Sequence, residues 1–270
     1  MGNPQPEIMT DAGKLSFDKF REEVLNDYRL ICISREASLL GRKEVLTGKA
    51  KFGIFGDGKE LPQVALAKFF KPGDFYSGYY RDQTLAFALG AATVEEFFAQ
   101  LYADPDTSHD PHSGGRQMNS HFATPFINEN GDFLDLVNRK NLAAGMAPTA
   151  AQIPKAVGLA LASKVFRGVD QLQTFDHLSN KGNEVCFCTI GDASTSEGHF
   201  WEAVNAVAVM QIPLAFFVWD DGYGISVPKK YQTAKNSISE ALKGFQKEEN
   251  TNGIDIYKVK AWDYAGMCEV

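Results

Sequence analysis

The chain has 270 residues, 44% of them hydrophobic and 23% charged, enough apolar material to bury a full core and to exclude a disordered polymer. With 27 Lys and Arg against 34 Asp and Glu the formal net charge is −7, and no run of basic residues offers a surface for nucleic acid. No apolar stretch approaches the roughly 20 residues of a membrane span, the start MGNPQPEIMTDAGK lacks the regions of a signal peptide, and Cys32, Cys186, Cys188 and Cys268 form no CxxC pair, so buried free thiols and a cytoplasmic setting are expected.

Residues 1–14 are polar and expected to be loose. Ser16 then precedes apolar residues at Phe20, Val24, Tyr28, Ile31, Ala37 and Leu40, whose spacing predicts an amphipathic helix from Phe17 to about Leu46 that packs within the domain or against another subunit. Gly53-Ile54-Phe55-Gly56-Asp57-Gly58 leads into a helical segment near Glu60. It reads as a tight turn or as a phosphate cradle, and it has neither a Walker lysine nor GxGxxG spacing. After the turn Lys71 to Asp74, Arg81 lies in Tyr79-Tyr80-Arg81-Asp82, either as a surface ion-pair partner or as a planar grip for phosphate oxygens. Thr93 and Glu96 have capping-box spacing for a helix to about Ala103.

Residues 104–141 are polar and rich in Gly, Pro and His, the composition of a functional or mobile loop. His109 and His112 flank Asp110 without further ligands at metal spacing, so both are expected to be solvated. Pro148 and Thr149 introduce an apolar helix over 155–166 whose small residues allow close packing, and a polar segment, 168–183, with a solvated His177, follows it.

The stretch from Val185 to Ser226 carries the chemistry. An apolar run, Val185 to Ile190, ends in Gly191-Asp192-Ala193-Ser194 before a segment of helical spacing, and a second run, Pro213 to Trp219, ends in Asp220-Asp221-Gly222. The connection length fits a βαβ unit, so the strands are expected to be parallel with both acidic turns at their carboxyl ends, where open α/β sheets hold ligands. Neighbouring strands lie about 5 Å apart, so Asp192 and Asp221 can share one hard cation such as Mg²⁺ or Ca²⁺. A helix N-terminus over 194–197 would add amides that favour phosphate. The physical expectation is a metal-bridged diphosphate. Beyond it, a polar helix over 237–246 and a strand over 254–259 are expected.

Gly191-Asp192, followed a helix and a strand later by Asp220-Asp221, resembles the thiamine diphosphate motif, which normally runs from Gly-Asp-Gly to Asn-Asn. Ser194-Thr195-Ser196-Glu197-Gly198, Trp201-Glu202-Ala203 and Gly222-Tyr223-Gly224-Ile225-Ser226 narrow the resemblance to the alpha subunit of the decarboxylating component of 2-oxoacid dehydrogenase complexes, with the branched-chain and pyruvate enzymes nearest. Tyr80-Arg81-Asp82, Gly115-Arg116-Gln117-Met118 followed by His121, and Gly145 to Pro154 are similar to further segments of that family. Transketolases share the Gly-Asp motif without the Arg-Gln-Met and Gln-Ile-Pro segments. A non-catalytic cofactor-binding or assembly module is the alternative from another class.

The resemblance implies an α/β fold over residues 15–270, a parallel sheet flanked by helices that binds thiamine diphosphate and Mg²⁺. It implies decarboxylation of a 2-oxoacid, with the acyl unit passing to a lipoyl group on an acyltransferase component. A beta subunit, or a beta half of the same enzyme, would supply the glutamate that activates the aminopyrimidine, so no acid here takes that role. Asp192, Asp221 and the Tyr223 carbonyl are the implied metal ligands. Tyr80, Arg81, Gly191, Ala193 and Ser194 would meet the diphosphate, Pro148 and Thr149 the pyrimidine, and His121 would orient near the reacting centre, with Glu60 beside the pocket. The chain departs from the family at Lys59 (Gln), Met146-Ala147 (two Ser), Thr149 (Leu), Ala193 (Gly) and Asp220-Asp221 (Asn-Asn), and residues 127–140 and 168–183 read as insertions. Alpha subunits continue past the matched stretch with a histidine and a serine-rich loop, so the N-terminal part of a longer polypeptide is expected. The two added carboxylates imply cofactor binding that leans more heavily on free Mg²⁺ than a neutral Asn site would.

Overall fold

The computed structural model describes residues 16–270 and, before them, the backbone of two short paired strands, Met9–Thr10 and Gly13–Lys14. The rest of the segment expected to be loose, 1–14, lies outside the described residues.

Four strands form the central sheet: β1 (Phe75–Ser77), β2 (Asn141–Leu142), β3 (Cys186–Gly191) and β4 (Leu214–Trp219). Their order is β2-β1-β3-β4 and every pairing is parallel. Side chains alternate across it. Tyr76, Phe187, Phe217 and Trp219 face one core with Phe55, Leu85 and Phe97, while Cys186, Cys188, Ile190, Phe216 and Val218 face the other with Ile153, Phe200 and Val204. The first core belongs to α1 (Phe17–Leu46), α2 (Glu60–Ala67), α3 (Gln83–Ala88) and α4 (Val94–Leu101); the second to α5 (Gln152–Gly168) and α6 (Gly198–Met210). Coverage on both faces explains why β3 reads as an unbroken apolar run rather than an alternating one, since all six of its residues are buried.

Local signals hold where they are specific. Ser16 caps α1 by accepting from the Lys19 amide, and Thr93 and Glu96 close the capping box of α4 at 3.1 and 2.7 Å. Buried polar residues then lock α1 to α3: Gln83 donates to the Ser34 carbonyl and to Ser38 Oγ, at 3.0 and 2.9 Å.

Several expectations are corrected. The helix over 237–246 is only α7 (Ile238–Ala241) and a 3₁₀ turn at Lys243–Phe245. No strand forms over 254–259: Ile254 makes one isolated bridge to Gln246, Ile254 and Ile256 pack on the core, and Tyr257 and Val259 stay exposed with no described strand beside them. The loop 104–140 is tied down by buried Asp110, which accepts from the Ser113 and Gly115 amides at 3.1 and 2.9 Å. The His112 ring is enclosed rather than solvated, edge-on to Phe122 with Nδ1 2.9 Å from the Ala123 carbonyl, whereas His109 is exposed beside Asp104. The two apparent insertions meet each other, the Leu136 amide donating to the His177 carbonyl at 2.7 Å. All four thiols are free; Cys186 and Cys188 are buried and Cys32 and Cys268 half-buried. Among the described residues no helix is long and apolar enough to cross a membrane.

Candidate active site

One carboxylate organises the carboxyl end of the sheet. Asp82, 2% exposed, accepts from the Tyr76 hydroxyl at 2.5 Å, from Trp219 Nε1 at 2.8 Å, from the Tyr79 amide at 3.3 Å and from the Thr189 hydroxyl. Those donors come from β1, β4, the loop after β1, and β3. Burial pushes the Asp82 pKa above the usual carboxylate range, and the hydrogen bonds oppose that rise.

The loop that Asp82 anchors carries Tyr79, Tyr80 and Arg81. A Cβ at Gly191 would stand 2.7 Å from the Tyr79 hydroxyl, so β3 ends in glycine where the tyrosine crosses it. That hydroxyl accepts from Arg81 Nε at 3.0 Å, and Arg81 Nη1 donates to the Phe55 carbonyl at 3.0 Å. Both acceptors are neutral, and among the described residues Arg81 makes no ion pair. Its guanidinium lies 5.6 Å from the centre of the Tyr80 ring, which in turn stacks on His121 at 6.2 Å and 17°. His121 is 2% exposed, with Nδ1 3.0 Å from the Met118 carbonyl and 3.2 Å from that of Asn119. Those carbonyls assign the proton to Nδ1. Nε2 is then a buried acceptor for which the described residues supply no hydrogen-bond donor. Burial holds the His121 pKa below its ordinary value.

The acidic turns are joined directly. β3 and β4 run in register from Cys186 opposite Leu214 to Gly191 opposite Trp219, so Asp192 and Asp220-Asp221 leave the sheet at one level. Asp192, 4% exposed, accepts from its neighbour Ala193 at Oδ1 and from the Gly222 amide at Oδ2, both 2.9 Å. Burial first, then the charges of Asp221 and Asp220, raise its pKa. Asp221 is half-exposed, with Oδ1 accepting from the Tyr223 amide at 3.1 Å and Oδ2 2.7 Å from Lys59 Nζ. Asp220 pairs with Lys229 at 2.6 Å. Each added carboxylate thus faces a lysine, Lys59 at Asp221 and Lys229 at Asp220. Tyr223 opens a small hairpin with Val227–Pro228.

The predicted helix N-terminus is displaced. Ala193–Ser196 is a separate 3₁₀ turn and α6 begins at Gly198, so the Ala193 amide is engaged by Asp192 while Ser194 is buried beneath it. Gly224 accommodates the alanine: a Cβ there would lie 2.7 Å from that of Ala193. Pro148 and Thr149 are exposed and line a cleft of about 510 Å³ with Ala151, Pro154, Glu197 and His199, whose Nε2 is 3.3 Å from the Thr149 carbonyl. Glu60 is buried and held by Arg35 Nε and Nη2, at 2.6 and 2.9 Å, and by the Gly58 amide at 2.9 Å. Its neighbour Lys59 is the side chain that reaches the acidic turns. Asp82, Lys59 and His199 had no assigned role in the sequence. The capping of one acid by a distant lysine leaves no local signal, whereas Asp82 was visible beside Tyr80-Arg81.

Two carboxylates and a main-chain carbonyl suit a Mg²⁺ whose remaining positions go to phosphate oxygens and water. Lys59 already stands against Asp221 as a cation. Among the described residues no three His, Cys, Asp or Glu side chains converge to hold a metal by themselves.

The fold is thus an α/β sheet with acids at two adjacent strand ends, beside an arginine whose acceptors among the described residues are both neutral. Residues 28–261 match the family described as the dehydrogenase E1 component, and the chain belongs to it. It is similar to 2-oxoisovalerate dehydrogenase subunit alpha of Bacillus subtilis (strain 168), 30% identical over 229 residues that cover 83% of this chain and 59% of the relative. The mitochondrial alpha subunit of Caenorhabditis elegans is 29% identical over 71% of this chain and 37% of its own, and that of Homo sapiens 24% over 88% and 47%. The chain spans about half the length of the curated relatives it matches.

Two measurements follow from this geometry. Asp82→Asn leaves at least two buried donors without a charged acceptor and should cost about 2–4 kcal/mol in urea unfolding; a change below about 0.5 kcal/mol contradicts the hub. For His121, the unfolded imidazole takes a proton at higher pH than the folded one. Its contribution is therefore intact above about pH 6.5 and falls as the pH drops below that value. Thermal unfolding should show wild type losing stability from pH 7 to 5 more steeply than His121→Gln, and parallel curves would rule this out.

Proposed function

We propose that this chain forms the diphosphate- and metal-holding part of a thiamine diphosphate-dependent 2-oxoacid dehydrogenase, completed by a beta subunit or beta half. Its substrate class is the branched-chain 2-oxoacids, favoured over pyruvate by the names of the relatives it resembles, and its acyl acceptor is a lipoyl group on an acyltransferase. The observation that carries the reading is the bond from the Gly222 amide to Asp192, which clamps the turns after β3 and β4 together beside Arg81.

Thiamine diphosphate, when bound, supplies the carbon nucleophile and accepts the electron pair released with carbon dioxide. Asp192, Asp221 and the Tyr223 carbonyl would hold Mg²⁺. Arg81 is fixed through Nε and Nη1, so the rest of its fork is pre-aimed and loses little freedom on gripping a phosphate. Tyr80, stacked between the guanidinium and His121, keeps both planes in place. Neutral His121 can accept a proton or hydrogen bond at Nε2 while its Nδ1 stays bound to main-chain carbonyls. Pro148 and Thr149 would bound the pyrimidine end. The acid that activates the pyrimidine comes from the partner.

The chain mixed with a beta subunit should decarboxylate 2-oxoisovalerate with an artificial electron acceptor, and Asp192→Asn should weaken thiamine diphosphate binding at least about tenfold by calorimetry. No turnover at saturating cofactor and Mg²⁺ would instead make it a non-catalytic binding module.

A further inference from the structure

Lys59 and Asp221, positions that the family resemblance would fill with Gln and Asn, are 162 residues apart in sequence and touch in the fold. Lys59 Nζ lies 2.7 Å from Asp221 Oδ2, with the lysine side chain 12% exposed and the aspartate 52%. Neither partner is placed by accident of a floppy surface. Lys59 precedes α2, whose first residue, Glu60, is buried against Arg35, and Asp221 is pinned at Oδ1 by the Tyr223 amide. The adjacent acid, Asp220, has its own lysine, Lys229. The Gln and Asn of the family would be a neutral pair, which offers a metal one fewer charged ligand and no internal competitor.

We propose that Lys59 is the built-in counter-cation of the metal turn: it holds Asp221 while no metal is bound, and a divalent cation must take Asp221 from it. Lys59 therefore tunes metal affinity and leaves the turn nearly neutral without metal, which matters in a site meant for a diphosphate. The exchange is shallow. A partly exposed ion pair biases an equilibrium by about fivefold or less, so the lysine restrains metal binding without abolishing it. Asp192, buried and bound to two amides, stays in place throughout as the fixed ligand. This assignment rests on the thiamine diphosphate reading of the site.

The test is a titration of the full chain with manganese(II) chloride at saturating thiamine diphosphate, following free Mn²⁺ by electron paramagnetic resonance against a protein-free blank. Lys59→Gln should bind Mn²⁺ about two- to fivefold more tightly than wild type, and Lys59→Arg, which keeps the charge, should stay within about twofold of wild type. In an Asp221→Asn background Lys59→Gln should have almost no effect. Unchanged or weaker binding by Lys59→Gln, or an equal effect of that substitution with Asn at 221, overturns the exchange while leaving the cofactor site intact. Absence of Mn²⁺ binding in wild type and every variant overturns both the exchange and the cofactor reading. Far-ultraviolet circular dichroism confirms that each variant is folded, and Lys59→Met provides a second neutral side chain should the glutamine variant misfold.

Discussion

The Asp82 carboxylate holds the working end of this sheet together. Three parallel strands contribute a donor to it through Tyr76, Thr189 and Trp219, and the chain leaving β1 adds the Tyr79 amide. A buried anion is tolerated when its donors are complete, and a network of this kind is worth most when every member is in place. The consequence reaches the chemistry, because the loop closed by Asp82 sets the direction of Arg81 and Tyr80. Strand spacing, loop path and cation placement therefore share one constraint.

The second constraint is charge. On the proposed function, a chain of net charge −7 that takes an anionic cofactor would need positive groups at the right point rather than a positive surface. It has Arg81 bound among the described residues to two neutral oxygens, Lys59 against Asp221, and two strand ends brought level by an unbroken register. The half-exposed Asp221 can change partner, and the buried Asp192 cannot. That division gives the site one fixed and one exchangeable carboxylate.

The βαβ unit from Val185 to Trp219 was legible because run length, crossover length and acidic turns all point the same way, and the caps at Ser16 and Thr93 because each is settled within a few residues. Contacts between distant segments were not. Lys59 and Asp221 are each ordinary in their own neighbourhood, and Glu60 could be placed near the pocket by resemblance while its bidentate bond to Arg35 went unseen. Burial of His112 depends on Phe122 and Ala123 folding back over it. The strand expected over 254–259 has the right residues, but among the described residues only Ile254 finds a bridge partner, Gln246, and hydrogen bonding along a partner makes a strand where composition alone does not. The displaced start of α6 has a similar origin: Asp192 spends an oxygen on the Ala193 amide and closes a separate turn first.

On the proposed function, the turns after β3 and β4 bind one divalent cation together with the diphosphate. A crystal structure of the chain with thiamine diphosphate and Mn²⁺, with data collected for anomalous scattering at the manganese edge, tests it most directly. A single anomalous peak between Asp192, Asp221 and diphosphate oxygens is expected, with Arg81 on the diphosphate and Lys59 released from Asp221. A peak elsewhere, or cofactor bound with Lys59 still closed on Asp221 and no metal between the turns, would contradict it.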